Sequence, residues 1–187
     1  MKLTTLLNKL GKRSAPAPGY DRENLRPVIR ASICTGEQTA GFRNIHTGRF
    51  TGLVYGYGDS AIHSGTFTSA VYLRGKTDVF NGTFGSAMFF YEDCTIYDGL
   101  YRSIVYMYEK EKTLTIQGGR FNDHLNAFYG NITLVNGEFT HLSDEEGSYT
   151  IKGGEFRTAE LFNYLPEGTS YTETTEDGKT VYVVHTN

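Results

Sequence analysis

Apolar and polar positions alternate along this chain in short bursts, and the bursts recur on a nearly constant period. Each burst carries one phrase: an aliphatic residue, two spacers, glycine, one residue, then an aromatic. It reads Ile45-His-Thr-Gly48-Arg-Phe50, Ile62-His-Ser-Gly65-Thr-Phe67, Val79-Phe-Asn-Gly82-Thr-Phe84 and Ile96-Tyr-Asp-Gly99-Leu-Tyr101. It continues as Ile116-Gln-Gly-Gly119-Arg-Phe121, Leu134-Val-Asn-Gly137-Glu-Phe139 and Ile151-Lys-Gly-Gly154-Glu-Phe156. The glycines are 17, 17, 17, 20, 18 and 17 residues apart. Self-similarity at a short fixed period is the mark of a solenoid, in which one rung cannot bury its own apolar face and stacked rungs can.

The pattern within a rung assigns the strands. Thr113-Leu-Thr-Ile116, Asn131-Ile-Thr-Leu134 and Ser148-Tyr-Thr-Ile151 alternate with period two. That alternation places Leu114, Ile116, Ile132, Leu134, Tyr149 and Ile151 on the inner face and the threonines outside. The glycine turns the corner and the aromatic points back inward. A second strand follows: Leu53-Val-Tyr55, Ala70-Val-Tyr-Leu73, Ala87-Met-Phe-Phe90 and Ile104-Val-Tyr-Met107. There Val54, Val71, Met88 and Val105 form an inner column. Tyr55, Tyr72, Phe89 and Tyr106 form an outward aromatic ladder, ending at Asn126 and Asp144 on the next two rungs.

The flanks read differently. Leu3, Leu6, Leu7 and Leu10 fall on one helical stripe, which predicts a short helix over the open end of the solenoid. Residues 11–27 are a Pro/Gly-containing linker. Residues 28–42 read either as a strand, a turn and a strand or as a degenerate first rung on Gly36, and in both cases as a cap. At the other end Asp177-Gly178 between two β-prone runs predicts a hairpin that covers the last rung's edge. The expected organisation is therefore an N-terminal helix, linker and cap over 1–41, a solenoid over 42–160 and a hairpin cap over 161–187. The expected fold is all-β: a single-stranded parallel β-helix of about seven rungs.

The repeats and the C-terminal ending resemble the Gly-Gly-x-Phe parallel β-helix repeats of bacterial surface proteins, broadly of the pectate-lyase-like superfamily. The resemblance implies a right-handed solenoid, as does the general preference for right-handed crossovers. A rung near 18 residues also occurs in left-handed hexapeptide helices, so both hands stay open. Such arrays usually serve as structural or binding segments of large secreted proteins. The run from Arg26-Pro-Val-Ile-Arg to Gly41-Phe42, with His46-Thr-Gly-Arg-Phe50, resembles a family of very small bacterial proteins. That likeness covers about residues 10–50 and implies a bacterial or phage setting, with no activity attached.

Composition changes the picture little. With 187 residues, 14% aromatics, 22 glycines, 4 prolines and no tryptophan, the chain has ample surface to bury. Net charge is −3, but nine Lys/Arg fall in residues 1–50 and ten Asp/Glu in 138–178. These are either two solvated ends of opposite sign or an acidic face for a basic partner. Cys34 and Cys94 form no CxxC or Cys/His cluster, and Cys94 takes an inner-column position, as a small core residue. No stretch is long enough to cross a bilayer as a helix, and the first ten residues do not read as an export signal.

Candidate chemistry is sparse. Asp59, Asp78, Glu92, Asp93, Asp98 and Asp123 occupy different registers, unlike the paired carboxylates of a glycosidase. Asp98 shares the pre-glycine column with Asn81 and Asn136, where a side chain bonds neighbouring backbone. His46 and His63 share a register without further ligands, so no metal site is expected; His124, His141 and His185 show no evident partners. No cofactor motif is present.

The expectation is thus a cytoplasmic, non-enzymatic interaction protein, phage- or mobile-element-encoded, that binds a macromolecular target, with a protein as the expected partner and inhibition as one outcome of binding. Its candidate contact residues are Tyr55, Tyr72, Phe89 and Tyr106 of the ladder and Asp144, Glu145 and Glu146 of the acidic third. The alternative is an extracellular glycan-binding or adhesin module that uses the same ladder. A polysaccharide lyase or hydrolase is a third reading. Direct nucleic-acid binding is not expected, and oligomerisation through the ladder is a further option.

Overall fold

Three strand segments make each turn of the solenoid, and the residue pattern dictates where each begins. The computed structural model describes residues 23, 25–31, 38–47 and 50–185. The expected N-terminal helix, Cys34, Gly36 and Gly48 lie outside the described residues. The first wall is a six-stranded parallel sheet of Ser60–Ile62, Thr77–Val79, Cys94–Ile96, Thr113–Ile116, Asn131–Leu134 and Ser148–Ile151. After the corner glycine come the short strands of the second wall, Thr66–Phe67, Thr83–Phe84 and Leu100–Tyr101. The third wall follows with Val71–Leu73, Met88–Phe90 and Val105–Met107. In Phe50–Tyr57, Arg120–Ala127 and Glu138–Asp144 the second and third segments run on as one strand.

The core is columnar. The phrase's aliphatics Val79, Ile96, Ile116, Leu134 and Ile151 are buried, and the aromatics Phe67, Phe84, Tyr101, Phe121, Phe139 and Phe156 are buried beside them. Ring centroids in that aromatic column are 4.9, 4.9, 4.4, 5.2 and 5.0 Å apart, with interplanar angles of 27° or less. Each such side chain contributes roughly 1.5–3 kcal/mol by burial, and stacking adds about 0.5–1.5 kcal/mol per pair. Gly119 shows why the corner needs glycine. Its φ is +105°, and a Cβ there would sit 3.0 Å from the Gly99 carbonyl oxygen.

Among the described residues the solenoid has about six turns, where seven are expected from the phrases. The first phrase departs from the rest: Ile45 lies in a turn and is 47% exposed, where the later aliphatics stand in strands. Phe50 pairs in parallel register with Phe67. Upstream, Leu25–Ala31 and Gln38–Asn44 pair antiparallel with each other, and the latter pairs antiparallel with Phe50–Tyr57. The strand-turn-strand cap is therefore the arrangement adopted at this end. Pro27, which has no N–H, interrupts the donor row of the outermost strand.

The C-terminal end is closed as the turn chemistry predicts. Tyr171–Glu176 and Lys179–Val184 form a hairpin through Asp177 (φ 50°) and Gly178 (φ 73°), and the second strand pairs antiparallel with Gly154–Phe156. Between them a 3-10 turn, Ala159–Asn163, buries Leu161 and is N-capped by Thr158, whose side chain accepts from the Glu160 N–H.

Candidate functional site

The third wall presents two outward columns, because its middle residue in each turn points into the core. Leu73, Phe90, Met107 and Ala127 are the buried middle positions. On one side of them stand Tyr55, Tyr72, Phe89, Tyr106, Asn126 and Ser143, in continuous parallel register. Their rings stack at 4.9, 4.6 and 4.9 Å with interplanar angles of 14°, 3° and 6°, and all are half-buried. The outward ladder expected from the alternation is present.

The sixth position of this ladder is Ser143, not Asp144. Between the closing aromatic and the inner leucine, Arg120–Ala127 carries Asn122, Asp123 and His124, whereas Glu138–Asp144 carries only Thr140 and His141. The strand with the extra residue bulges, and the register downstream shifts by one. Asp144 therefore pairs with Ala127 and accepts a 2.6 Å hydrogen bond from the Tyr164 hydroxyl. Burial first, then that bond, pushes the Tyr164 hydroxyl far above its usual range.

The second outward column was not read from the sequence. It contains Tyr57, Arg74, Tyr91, Tyr108 and Phe128. Tyr108 stacks on Phe128 at 5.0 Å and 4°, and Tyr129 closes on both rings edge-on. The Arg74 guanidinium lies 4.3 Å from the centre of the Tyr91 ring. Burial raises the Tyr91 hydroxyl pKa, against the opposing pull of Arg74. The signal that reveals this column is the two-residue alternation Tyr55-Gly-Tyr57 and Tyr106-Met-Tyr108, with Arg74 and Tyr91 filling the same register between them.

The acidic trio lies at the C-terminal end of the same wall. Glu146 N–H donates to the Phe128 carbonyl, and its carboxylate pairs with Lys110 at 2.7 Å. Lys110 in turn lies 5.5 Å over Tyr129, and the Glu146 hydrogen bond raises its pKa. Glu145 is exposed, and its N–H donates to the Ala127 carbonyl. Glu145 thus continues the register of the second column and Glu146 sits beside it, while Asp144 turns to Tyr164.

The other candidate groups divide between structural pairings and one groove. Asp98, Asn81 and Asn136 each accept from the N–H of the following corner glycine, as the column predicts. Glu92 pairs with Lys112 at 2.6 Å, and Asp93 accepts from the Thr113 N–H. Asp59, Asp78 and Asp93 line one open groove of about 510 Å³ on the first wall, with Lys76 among them. Among the described residues no group of three or more His, Cys, Asp or Glu is placed to hold a metal ion. His63 stacks on Phe80 and Phe80 on Tyr97, an exposed three-ring column at the corner.

His124 and His141, without evident partners in the sequence, do have them. Their rings stack at 4.8 Å. Asp123 meets His124 Nδ1 at 2.9 Å, and Glu160 lies 3.7 Å from His141 Nδ1. The hydrogen bond from His124 holds the Asp123 carboxyl below its usual range. This pairing depends on the bulge that aligns residues 124 and 141, which spacing alone does not show.

No family model, no curated protein and no solved structure matches this chain, so the reading of the site rests on its own geometry.

Proposed function

We propose that this chain is a non-enzymatic binding protein whose third wall docks a protein partner and acts by occupancy. The observation that carries this reading is the pair of adjacent outward columns: a half-buried aromatic ladder beside a second column in which Tyr57 and Tyr108 are exposed and Arg74 and Glu145 supply charge, with Glu146 next to it. Aromatic side chains offer large contact area at low entropic cost, and such residues concentrate binding energy in protein interfaces.

Ring orientation favours a protein over a glycan. A sugar stacks on a ring's face, but Tyr72 and Phe89 each have both faces against neighbouring rings. What the ladder offers outward is ring edges and the Tyr55, Tyr72 and Tyr106 hydroxyls, which suit edge-to-face packing and hydrogen bonding by side chains of a partner.

The test is capture from a bacterial lysate by the immobilised chain, beside a variant carrying Tyr55→Ala, Tyr72→Ala and Tyr106→Ala. A specific protein should be retained by the wild type and lost, by at least about tenfold, from the variant. Equal retention by both, or retention of polysaccharide that survives the substitutions, overturns the reading.

A further inference from the structure

We infer that the outer aromatic face is also a self-interface, on which two copies of this chain pack face to face with their solenoid axes antiparallel. The inference rests on the reading of this face as the working surface. It names what covers the rings when no target is bound.

The argument begins with register. Arg74 N–H donates to the Gly56 carbonyl, Tyr91 to Leu73, Tyr108 to Phe90, Phe128 to Met107 and Glu145 to Ala127, one repeated bond from each turn to the one before. Arg74 and Glu145 therefore stand in the same column, four turns apart, with Tyr108 midway. Four turns span about 19 Å at the parallel-strand spacing.

These two residues are the opposite charges this column leaves unpaired. Neither forms a salt bridge among the described residues, whereas Glu146 is held by Lys110 and Asp144 by the Tyr164 hydroxyl. Arg74 makes its contact with a ring face, which leaves the charge unneutralised.

A two-fold axis along the strand direction, passing through the turn of Tyr106 and Tyr108, keeps each column opposite itself and inverts the order of turns. Arg74 then meets Glu145 of the second copy, and Glu145 meets Arg74. The two tyrosines of the central turn meet their own counterparts edge-on. The contact is isologous and closes at two copies.

Area sets the strength. Five of the turns face their counterparts about this axis, since the turn of Tyr55 and Tyr57 lies beyond the last, and with two columns they project to about 330 Å² per copy, less than half of the usual 800 Å² per partner. Association is therefore weak, reversible and salt-sensitive, and it gives way to a tighter target on the same face.

The experiment is sedimentation of the full chain over a concentration series from about 1 to about 500 μM, at low and high salt. The wild type should show a monomer–dimer equilibrium that weakens with salt. Arg74→Glu and Glu145→Arg should each raise the dimer Kd at least about tenfold, and the double variant should return it to within about threefold of wild type. Both sites are exposed, and circular dichroism checks that each variant is folded. A wild type that stays monomeric throughout, or a folded double variant that fails to recover, overturns the inference. If the wild type is monomeric while the three tyrosine substitutions still abolish capture from lysate, only self-pairing has failed. If those substitutions also leave capture unchanged, the docking face itself is wrong.

Discussion

Cys94 shows how the stack treats a single residue. It occupies the inner column with Leu114, Ile132 and Tyr149, and its sulfur accepts from the Thr77 N–H at 3.3 Å. Burial pushes its thiol up to about 12 from an ordinary value of 9.0. Below pH 9 both the folded and the unfolded chain hold this proton. Between about 9 and about 12 only the unfolded chain releases it, so Cys94 costs stability as pH rises through that window. The urea midpoint of Cys94→Val should therefore fall less steeply than the wild type's between pH 8 and about 10.5. Native Cys94 should also resist alkylation, since the thiolate is the reactive form. Tyr101 follows the same logic: it is buried in the aromatic column, its hydroxyl donates to the Asp98 carbonyl, and burial raises its pKa.

At the scale of elements, the ends matter more than the interior strands, because every interior strand finds a parallel neighbour on each side. At the C-terminal end Lys179–Val184 supplies an antiparallel neighbour for Gly154–Phe156, with Val181 and Val184 buried. Truncation after Ser170 should expose an apolar strand edge, and the product should elute as higher oligomers in size-exclusion chromatography where the intact chain does not. The hairpin was legible because Asp-Gly between two β-prone runs permits few other turns. The stack was legible because one phrase repeats with one chemistry per position, but the seven phrases overstate its turns, since Ile45 of the first lies in an exposed turn. What escaped was register. Counting seven residues from each glycine places Asp144 in the ladder, and a one-residue difference between adjacent turns moves it to the register of Ala127. The second aromatic column escaped because Arg74 interrupts its rings and Tyr91 stands alone between better patterns.

For the whole molecule, stability is close to a sum of turns and the interfaces between them. Protection should therefore be graded along the axis. Amides of Cys94–Ile96 and Thr113–Ile116, flanked by strands on both sides, should exchange at least about tenfold more slowly than those of Ser60–Ile62, the first strand of its sheet. Equal rates would mean that the turns unfold as one cooperative unit. The same additivity bears on the 20-residue spacing between Gly99 and Gly119. Its extra length is taken up in the exposed turn at Glu109, Lys110 and Glu111, where Glu111 adopts φ 60°, while the strands on either side keep the register of their neighbours. A loop of this kind lengthens at small entropic cost, since closure entropy grows only logarithmically with length. The scaffold thus has a natural grafting port beside the aromatic columns, where foreign sequence can be spliced in and displayed without rewriting the repeats beneath it.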